Sequence, residues 1–295
     1  MKELKGIYPA IMTPFDAQGA VSETGLRKMV KHALDVSVNG FYVCGGGGEG
    51  LLLTVAERQQ VLEIVLDAVQ GKVPVIAHVG AFQIPDAITL ARHAGRAGAC
   101  AVASMPPAYF YLPNLDGLVQ FYRQIAEVAE RPVLAYNIPG RLPINLDTGI
   151  FEKLIRIPGV VGIKDSSGDL AQITLTAAID DGKIIVFNGE DRALWYGLMA
   201  GCVGGIGSTY PVMLELFVDL YRAFLARDLD RGLELQRRIN GIVRILTNYN
   251  VLAALKQILK WLDLDSGDPR PPNPTLTPDE ARQLKRDLEK INFLD

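Results

Sequence analysis

The chain has 295 residues, of which 49% are hydrophobic and 21% charged, a composition typical of a globular protein with a large core. Its formal net charge of −3 provides no basic surface for nucleic acid or for an anionic membrane. Cys44, Cys100 and Cys202 are widely spaced, which indicates reduced thiols and a cytoplasmic location. We expect no membrane association, because residues 1–6 lack a signal-peptide pattern and no apolar run is long enough to span a bilayer.

Eight short apolar runs recur along the chain, and each is followed by a helical pattern. Their spacing of about 20 to 35 residues is that of strand–helix units, and their nearly continuous apolar character is typical of parallel strands buried on both faces. The predicted strands are Ile7–Met12, Gly40–Cys44, Val73–His78, Ala101–Met105, Pro132–Asn137, Val160–Lys164, Ile184–Asn188 and Val203–Gly207.

Helix signals support this alternation and continue after the last strand. Thr54-Val-Ala-Glu57 is a capping box, and Thr277-Pro-Asp-Glu280 combines an N-cap, a proline and a glutamate. The late helices are predicted at 214–226, 229–247, 251–264 and 278–291. Because no strand follows the eighth, the pattern favours a closed barrel. We predict that residues 1–225 form this (β/α)8 TIM barrel. Residues 226–295 then form a C-terminal helical appendage that packs on the barrel as part of one structural unit.

Lys164 lies at the end of the sixth predicted strand. The active sites of such barrels lie at the carboxyl ends of the strands, so polar residues there are candidates for function. Val161 and Ile163 precede Lys164 and give it an apolar floor. Burial of an amine favours its neutral, nucleophilic form, which can attack a carbonyl carbon. A solvated lysine at a strand end is the alternative.

Other strand ends carry groups that suit proton transfer or anion binding. Tyr136 ends the fifth strand, and its hydroxyl can both donate and accept a proton, although an aromatic ring that fills the barrel mouth has the same pattern. Arg141 follows it, and its guanidinium can donate two hydrogen bonds to a carboxylate. An arginine that simply lies on the surface is the alternative. His78 ends the third strand and could line the mouth. His32 and His93 lie in helical patterns, so the three histidines give no metal signature.

Glycine-rich turns follow the second and eighth strands. Gly45–Gly48 are four consecutive glycines, and such a backbone can approach a ligand and direct N–H groups at an anion. The segment also satisfies the G-x-G-x-x-G pattern of dinucleotide-binding proteins, but the acid expected at the end of the next strand is missing at His78. Gly204–Tyr210 and Asn188–Arg192 fit the barrel habit of binding anions or polar groups after strands seven and eight, or serve as tight turns.

Taken in order, these motifs resemble those of the dihydrodipicolinate synthase/N-acetylneuraminate lyase family of class I aldolases. The resemblance runs nearly from end to end, and the ordered set is far more specific than any one motif. The segments that carry it are Met12-Thr-Pro-Phe15, Gly45–Glu49, Tyr136-Asn-Ile-Pro139, Gly162-Ile-Lys-Asp165, Ser167-Gly-Asp169, Gly204–Tyr210 and Arg270-Pro-Pro272.

The resemblance implies a specific chemistry for these residues. Lys164 condenses with the keto group of pyruvate or of a pyruvate-derived sugar acid, and Tyr136 shuttles protons. The backbone N–H groups of Gly46 and Gly47 hold the pyruvate carboxylate. The resemblance further implies a small-molecule substrate, no metal or organic cofactor, and a homotetramer whose C-terminal helices can contact neighbouring subunits.

The glycine pair departs from the family pattern. The family usually has Thr-Thr or Ser-Thr where this chain has Gly46-Gly47, so the hydroxyl that hydrogen-bonds the tyrosine is missing. Backbone donors can still hold a carboxylate. A water molecule, Ser208 or Thr209 would then have to complete the proton relay of Tyr136.

The loop after the fourth strand departs as well. In the family, a relay tyrosine reaches the site from a neighbouring subunit, and its place aligns with Phe110. Tyr109 or Tyr111 could replace it only if this loop shifts. The residue that serves as a relay therefore stays open among these three.

The substrate branch is indicated by residues around the barrel mouth. Arg141 occupies the place where synthases hold the carboxylate of the second substrate, whereas Gly189, Asp191 and Ser208 look like the polyol-binding residues of the sialate-lyase branch. The neighbouring acid of that branch is Arg192 here, and with Arg141 it could hold a second anion. We expect a lyase, aldolase or dehydratase acting on a 2-oxo-3-deoxy sugar acid. Dihydrodipicolinate synthase is the alternative, and a non-catalytic barrel that binds a 2-oxo acid is the alternative of another class.

Overall fold

Strands and helices alternate along the computed structural model, which describes residues 4–110, 112–264 and 266–294. The strands are β1 (Gly6–Pro9), β2 (Phe41–Val43), β3 (Val75–His78), β4 (Ala101–Ser104), β5 (Val133–Asn137), β6 (Val160–Asp165), β7 (Ile185–Asn188) and β8 (Gly204–Gly207). The barrel helices are α1 (Glu23–Asp35), α2 (Val55–Val69), α3 (Ile84–Ala97), α4 (Leu115–Ala129), α5 (Thr148–Leu154), α6 (Leu170–Ala177), α7 (Leu194–Met199) and α8 (Leu214–Ala226). The later helices are α9 (Leu229–Leu246), α10 (Val251–Trp261) and α11 (Pro278–Glu289).

The eight strands form one parallel sheet in the order β1-β8-β7-β6-β5-β4-β3-β2. The sheet curls so that its two end strands meet. A parallel bridge joins Ala10 to Tyr42, and the N–H of Ile11 donates to the carbonyl oxygen of Tyr42 over 3.0 Å. The predicted (β/α)8 barrel with C-terminal helices is therefore confirmed.

Several element boundaries differ from the predicted ones: the first strand ends at Pro9 rather than Met12 and the fourth at Ser104 rather than Met105, and two further differences occur where the backbone turns left-handed. The second strand ends at Val43 rather than Cys44, because Cys44 has a φ of 59°. Helix α10 ends at Trp261, two residues before Asp263, which has a φ of 58°. Both predicted capping boxes are present, at Thr54 and at Thr277.

The inside of the barrel is filled by inward-facing side chains from alternate strand positions. One continuous cluster includes Tyr8, Ala10, Tyr42, Ile76, Ala101, Ala103, Leu134, Phe187 and Ile206. Tyr136 lies two residues beyond Leu134 on β5 and stands opposite Lys164 in the register with β6. Lys164 and Tyr136 therefore lie above a filled interior, at the carboxyl ends of the strands.

The C-terminal helices are joined to the barrel by polar contacts. Nζ of Lys256 in α10 donates to the carbonyl oxygen of Thr13 over 2.9 Å, and the Arg270 guanidinium pairs with Glu57 at the start of α2 over 2.7 Å. The division of the chain at residue 225 stays a prediction. Among the helices of the described ranges, none is both long and apolar enough to cross a membrane.

Candidate active site

Lys164 is a buried lysine whose amine contacts the faces of two aromatic rings. Its side chain points into the barrel mouth and the residue is 5% exposed. Nζ lies over the ring of Tyr136, 4.1 Å from the centroid, and over the ring of Tyr42, 4.5 Å from the centroid. Within the described residues no carboxylate forms an ion pair with Lys164. This environment excludes a solvated strand-end lysine and suits an amine that reacts with a carbonyl group.

Asp165, the residue after Lys164, does not supply the missing counter-charge. Its carboxylate accepts hydrogen bonds from the side-chain amides of Asn137 over 3.1 Å and Gln172 over 2.8 Å, and from the N–H of Ser167 over 2.7 Å. These bonds hold the loop after β6 in place. They also explain why a polar segment follows the apolar strand at this point.

His78 completes the aromatic group around the lysine, in agreement with the expectation that it could line the mouth. Its ring stands perpendicular to that of Tyr136, with centroids 5.8 Å apart. Nδ1 lies 3.2 Å from the carbonyl oxygen of Cys44 and 3.4 Å from a guanidinium nitrogen of Arg58. Burial, with the nearby cations Arg58 and Lys164, holds the pKa of His78 well below its usual range. The imidazole is therefore neutral.

Arg58 is a buried arginine that the sequence did not single out. Its guanidinium donates to the carbonyl oxygens of His78 over 2.7 Å and Gly80 over 3.0 Å. Burial lowers its pKa, and the nearby Cys44 and Tyr42 oppose that effect. Arg58 thereby fixes the end of β3 and, through His78, the wall of the lysine pocket.

The glycine loop, residues 45–48, follows β2 and offers backbone donors. Among the described residues, neither the N–H of Gly46 nor that of Gly47 donates to a protein acceptor. The loop is held from its other side, because Thr13 donates from Oγ1 to the carbonyl oxygen of Gly48 over 2.7 Å. A Cβ atom added at Gly47 would lie 3.1 Å from Cβ of Ser208, so this loop and the loop after β8 meet.

The loops after β7 and β8 are joined by Asp191 and Thr209. Oδ2 of Asp191 accepts from the N–H of Thr209 over 2.9 Å and from its hydroxyl over 2.7 Å. Burial raises the pKa of Asp191 to about 6, although the Thr209 hydrogen bonds and the nearby Lys164 act in the opposite direction. The Thr209 hydroxyl therefore donates its proton to Asp191 and keeps its acceptor lone pairs, and its part in a relay with Tyr136 stays a prediction.

Gly189 lies directly beside the lysine. A Cβ atom at this position would be 3.1 Å from Cε of Lys164 and 2.1 Å from Oγ of Ser166, so a side chain there would collide with the site. Arg192 is exposed and pairs with Glu190, with Nε 2.7 Å from Oε1. Arg141 lies exposed after β5. The two arginines therefore differ in how readily they could bind an anionic substrate group, because Arg192 already has an acidic partner.

Two of the three relay candidates are exposed side chains outside the lysine pocket. Tyr109 and Phe110 are 76% and 79% exposed in the loop after β4, and the Tyr109 ring packs 5.8 Å from that of Phe82. Tyr111 lies outside the described residues. A relay role for any of the three stays a prediction.

The motif at Arg270 has a structural explanation. The Arg270 guanidinium binds both oxygens of Glu57, over 2.7 and 2.9 Å, and its backbone N–H donates to Oε2 of Glu49 over 2.8 Å. These contacts connect the C-terminal segment to the end of the glycine loop. In the described part of the chain, no group of three or more His, Cys, Asp or Glu side chains could hold a metal ion.

Comparison with known proteins agrees with this geometry. The chain is 36% identical to an N-acetylneuraminate lyase from Citrobacter koseri over 268 residues, which cover 90% of this chain and 89% of the relative. A Ruminococcus gnavus structure, described as a sialic acid aldolase catalytic lysine mutant, superposes with a TM-score of 0.94 at 32% identity and covers 100% of both chains. A dihydrodipicolinate synthase from Bacillus anthracis superposes with a TM-score of 0.92 at 27% identity, over 98% of this chain and 99% of that one.

The match to a family is equally extensive. Residues 3–291 match the sequence profile of the dihydrodipicolinate synthetase family. The named relatives include N-acetylneuraminate lyases and a sialic acid aldolase, and the chain is an enzyme of the class I aldolase type. The chain belongs to the dihydrodipicolinate synthetase family.

Proposed function

We propose that the enzyme cleaves, and in reverse forms, a 2-oxo-3-deoxy sugar acid related to N-acetylneuraminate through a Schiff base on Lys164. The observation that carries this proposal is the environment of Lys164, whose buried amine contacts the rings of Tyr42 and Tyr136 and has no ion-pair partner among the described residues. The identity to N-acetylneuraminate lyases supports the choice of branch.

Imine formation begins when the neutral amine of Lys164 adds to C2 of the substrate. The carbonyl oxygen becomes a hydroxyl and leaves as water, which carries one proton from the nitrogen and one from the surrounding solvent. The product is an iminium cation. Tyr136, whose backbone pairs with that of Lys164 in the sheet, is the group that relays these protons.

Cleavage uses the iminium as an electron sink. The C4 hydroxyl loses a proton, the C3–C4 bond breaks, and its electrons form an enamine as the nitrogen becomes neutral. The aldehyde then leaves. Protonation of C3 and addition of water release pyruvate and regenerate the amine of Lys164.

Two groups of residues divide the binding of the substrate. The free N–H groups of Gly46 and Gly47 hold the carboxylate, as donors that converge on an anion. Gly189, Asp191 and Ser208 line the side where the polyol tail lies. The pairing of Arg192 with Glu190 favours an uncharged tail over a second carboxylate on that side.

Dihydrodipicolinate synthase activity is a second candidate, supported by the exposed Arg141 after β5. Arginine binds carboxylates bidentately, and the semialdehyde substrate of the synthase carries one. The two activities separate in a substrate panel of N-acetylneuraminate, other 2-oxo-3-deoxy sugar acids, and pyruvate with aspartate semialdehyde. Turnover of the semialdehyde alone would overturn the branch chosen here.

Borohydride trapping tests the central step. Incubation with pyruvate and borohydride is expected to add one reduced pyruvyl group to Lys164, located by peptide mass spectrometry. Lys164→Ala should lose both the adduct and turnover, whereas Lys153→Ala, at an exposed lysine of α5, should keep both. An adduct on another lysine, or none, rejects the Schiff base. An adduct without turnover of any panel member indicates a barrel that binds 2-oxo acids.

A further inference from the structure

The rings of Tyr42 and Tyr136 form an open cage over one nitrogen atom. Their centroids lie 6.4 Å apart and their planes meet at 77°, and Nζ of Lys164 lies over both faces. Tyr136 belongs to β5, which neighbours β6, whereas Tyr42 belongs to β2 and reaches the lysine across the barrel interior. The closure of the barrel therefore brings Tyr42 to the reacting nitrogen.

Ring faces contact Lys164 where a buried cation usually has a paired acid, and the nearby Asp191 carboxylate forms no ion pair with it within the described residues. Buried lysines are nearly always paired with an acid, because removing a charge from water is unfavourable. No such pair with Lys164 is found in residues 4–110, 112–264 and 266–294, and the Asp165 carboxylate is turned to Asn137 and Gln172. The negative face of an aromatic ring attracts a cation, and this attraction is stronger in a desolvated site.

We propose that Tyr42 is a catalytic residue whose ring face, together with that of Tyr136, stabilises the cationic iminium on Lys164. This inference rests on the Schiff base proposed above. The free amine can lose its charge by releasing a proton. The iminium must keep its charge to accept the electrons of the C3–C4 bond. The rings therefore matter most after condensation, because they favour the protonated iminium over the neutral imine, which is a poorer electron acceptor.

The hydroxyl of Tyr42 does not account for the presence of a tyrosine here. It is fully buried and has no hydrogen-bond partner in the described residues. Burial, followed by the proximity of Tyr136, raises its pKa well above the usual range, so it stays protonated and is not a base. The useful part of the side chain is the ring.

The surrounding residues hold the ring in place. The His78 ring lies 6.0 Å from that of Tyr42 and 5.8 Å from that of Tyr136, and His78 is itself fixed by Arg58 and by the Cys44 carbonyl oxygen. The cage is thus built before any substrate binds. Electrostatic stabilisation of this kind requires no reorganisation during the reaction.

A fluorination series tests the proposal, because fluorine weakens the negative face of a ring with little change in shape. Tyr42 is replaced by phenylalanine and by phenylalanine analogues with one, two and three fluorine atoms. Tyr42→Phe keeps the ring and removes the hydroxyl, and it is the reference with which the fluorinated variants are compared. Along the fluorinated series the imine-formation constant should fall stepwise, by about tenfold to thirtyfold in total, with a parallel fall in kcat.

The same series at Tyr8 is the matched control. Tyr8 is equally buried, and its ring packs against Phe187 with centroids 5.0 Å apart rather than over Lys164. Fluorination at Tyr8 should leave imine formation unchanged. Thermal midpoints of both series show whether packing has been preserved. Where the fluorinated chains do not fold, Tyr42→Leu against Tyr8→Leu gives the same comparison.

The outcomes separate this inference from the Schiff base on which it rests. Failure of the natural chain to be trapped by borohydride rejects the proposed function itself. Normal trapping with a flat fluorination series at Tyr42 rejects only the role of the ring. Loss of imine formation in Tyr42→Phe also rejects that role, because it assigns the effect to the hydroxyl.

Discussion

Nζ of Lys256 lies 2.8 Å from Oε1 of Glu49, and both side chains are 1% exposed. Lys256 comes from α10 near the C-terminus, whereas Glu49 immediately follows the glycine loop. Oε2 of Glu49 accepts from the N–H of Arg270 over 2.8 Å and from the side chain of Asn273 over 3.1 Å. The glycine loop is therefore held by the C-terminal part of the chain.

Breaking this buried pair should destabilise the protein strongly. Glu49→Gln and Lys256→Met should each lower the free energy of unfolding by about 3–5 kcal/mol, because one charge stays buried without its partner. Urea unfolding measures the change. The double variant should lose less than the sum of the two. Lys260→Met removes an exposed partner of Asp268 instead and should change stability by less than about 1 kcal/mol; equal losses at both lysines would contradict the prediction.

Tyr136→Phe should separate the two functions of that side chain. The ring remains over Lys164, and only the proton-relaying hydroxyl is removed. We expect kcat to fall by about 10²- to 10⁴-fold, as is typical for the loss of a general acid–base group, with little change in the thermal midpoint. Steady-state kinetics on the best substrate of the panel measure the effect. Unchanged kcat would show that another group moves the proton.

Asp191 should make stability depend on pH between its two pKa values. Its pKa is about 6 in the folded protein and 3.8 in the reference state, so folding favours the protonated form. The destabilisation is present in full above about pH 6 and is relieved as the pH falls toward 4, a gain on the order of 3 kcal/mol. Comparison of urea unfolding of the natural chain and Asp191→Asn across this window isolates the effect. Identical pH profiles would contradict it.

Gly46 and Gly47 of the glycine loop should tolerate side chains differently. A Cβ atom at Gly46 has no heavy atom within 4 Å, whereas one at Gly47 lies 3.3 Å from the carbonyl oxygen of Ala10 and close to Ser208. Gly46→Ser should therefore change stability by less than about 0.5 kcal/mol, and Gly47→Thr should cost about 1–3 kcal/mol. Thermal unfolding measures both. The opposite order would show that the loop is arranged differently.

Local patterns predict much of this molecule. The strands and the capping boxes at Thr54 and Thr277 are present because apolar runs and cap residues act over a few neighbouring positions. The strand-end position makes Lys164 a candidate, and the family resemblance of the ordered motifs assigns it the Schiff base. Boundaries shifted at Cys44 and Asp263, where left-handed backbone ends an element without a glycine to mark it.

Long-range contacts could not be predicted in the same way. Phe41-Tyr-Val43 reads as a core strand, and only closure of the barrel places Tyr42 over Lys164. Arg58 looks like a polar position on α2, yet it is buried against β3. Lys256 has a helical pattern around it, but its acidic partner lies at the other end of the chain. Each of these residues depends on a contact between distant segments.

The bare backbone of residues 45–48 has a consequence for how such an enzyme can be retargeted. In an enzyme that works as proposed, main-chain N–H groups bind the carboxylate that all the substrates share. Side-chain substitutions leave these N–H groups unchanged. The variable tail meets side chains of separate loops, after β7 and β8. Substitution of residues such as Asp191 and Ser208 can therefore change which substrate binds. The part of the site that forms and breaks the covalent bond then stays the same.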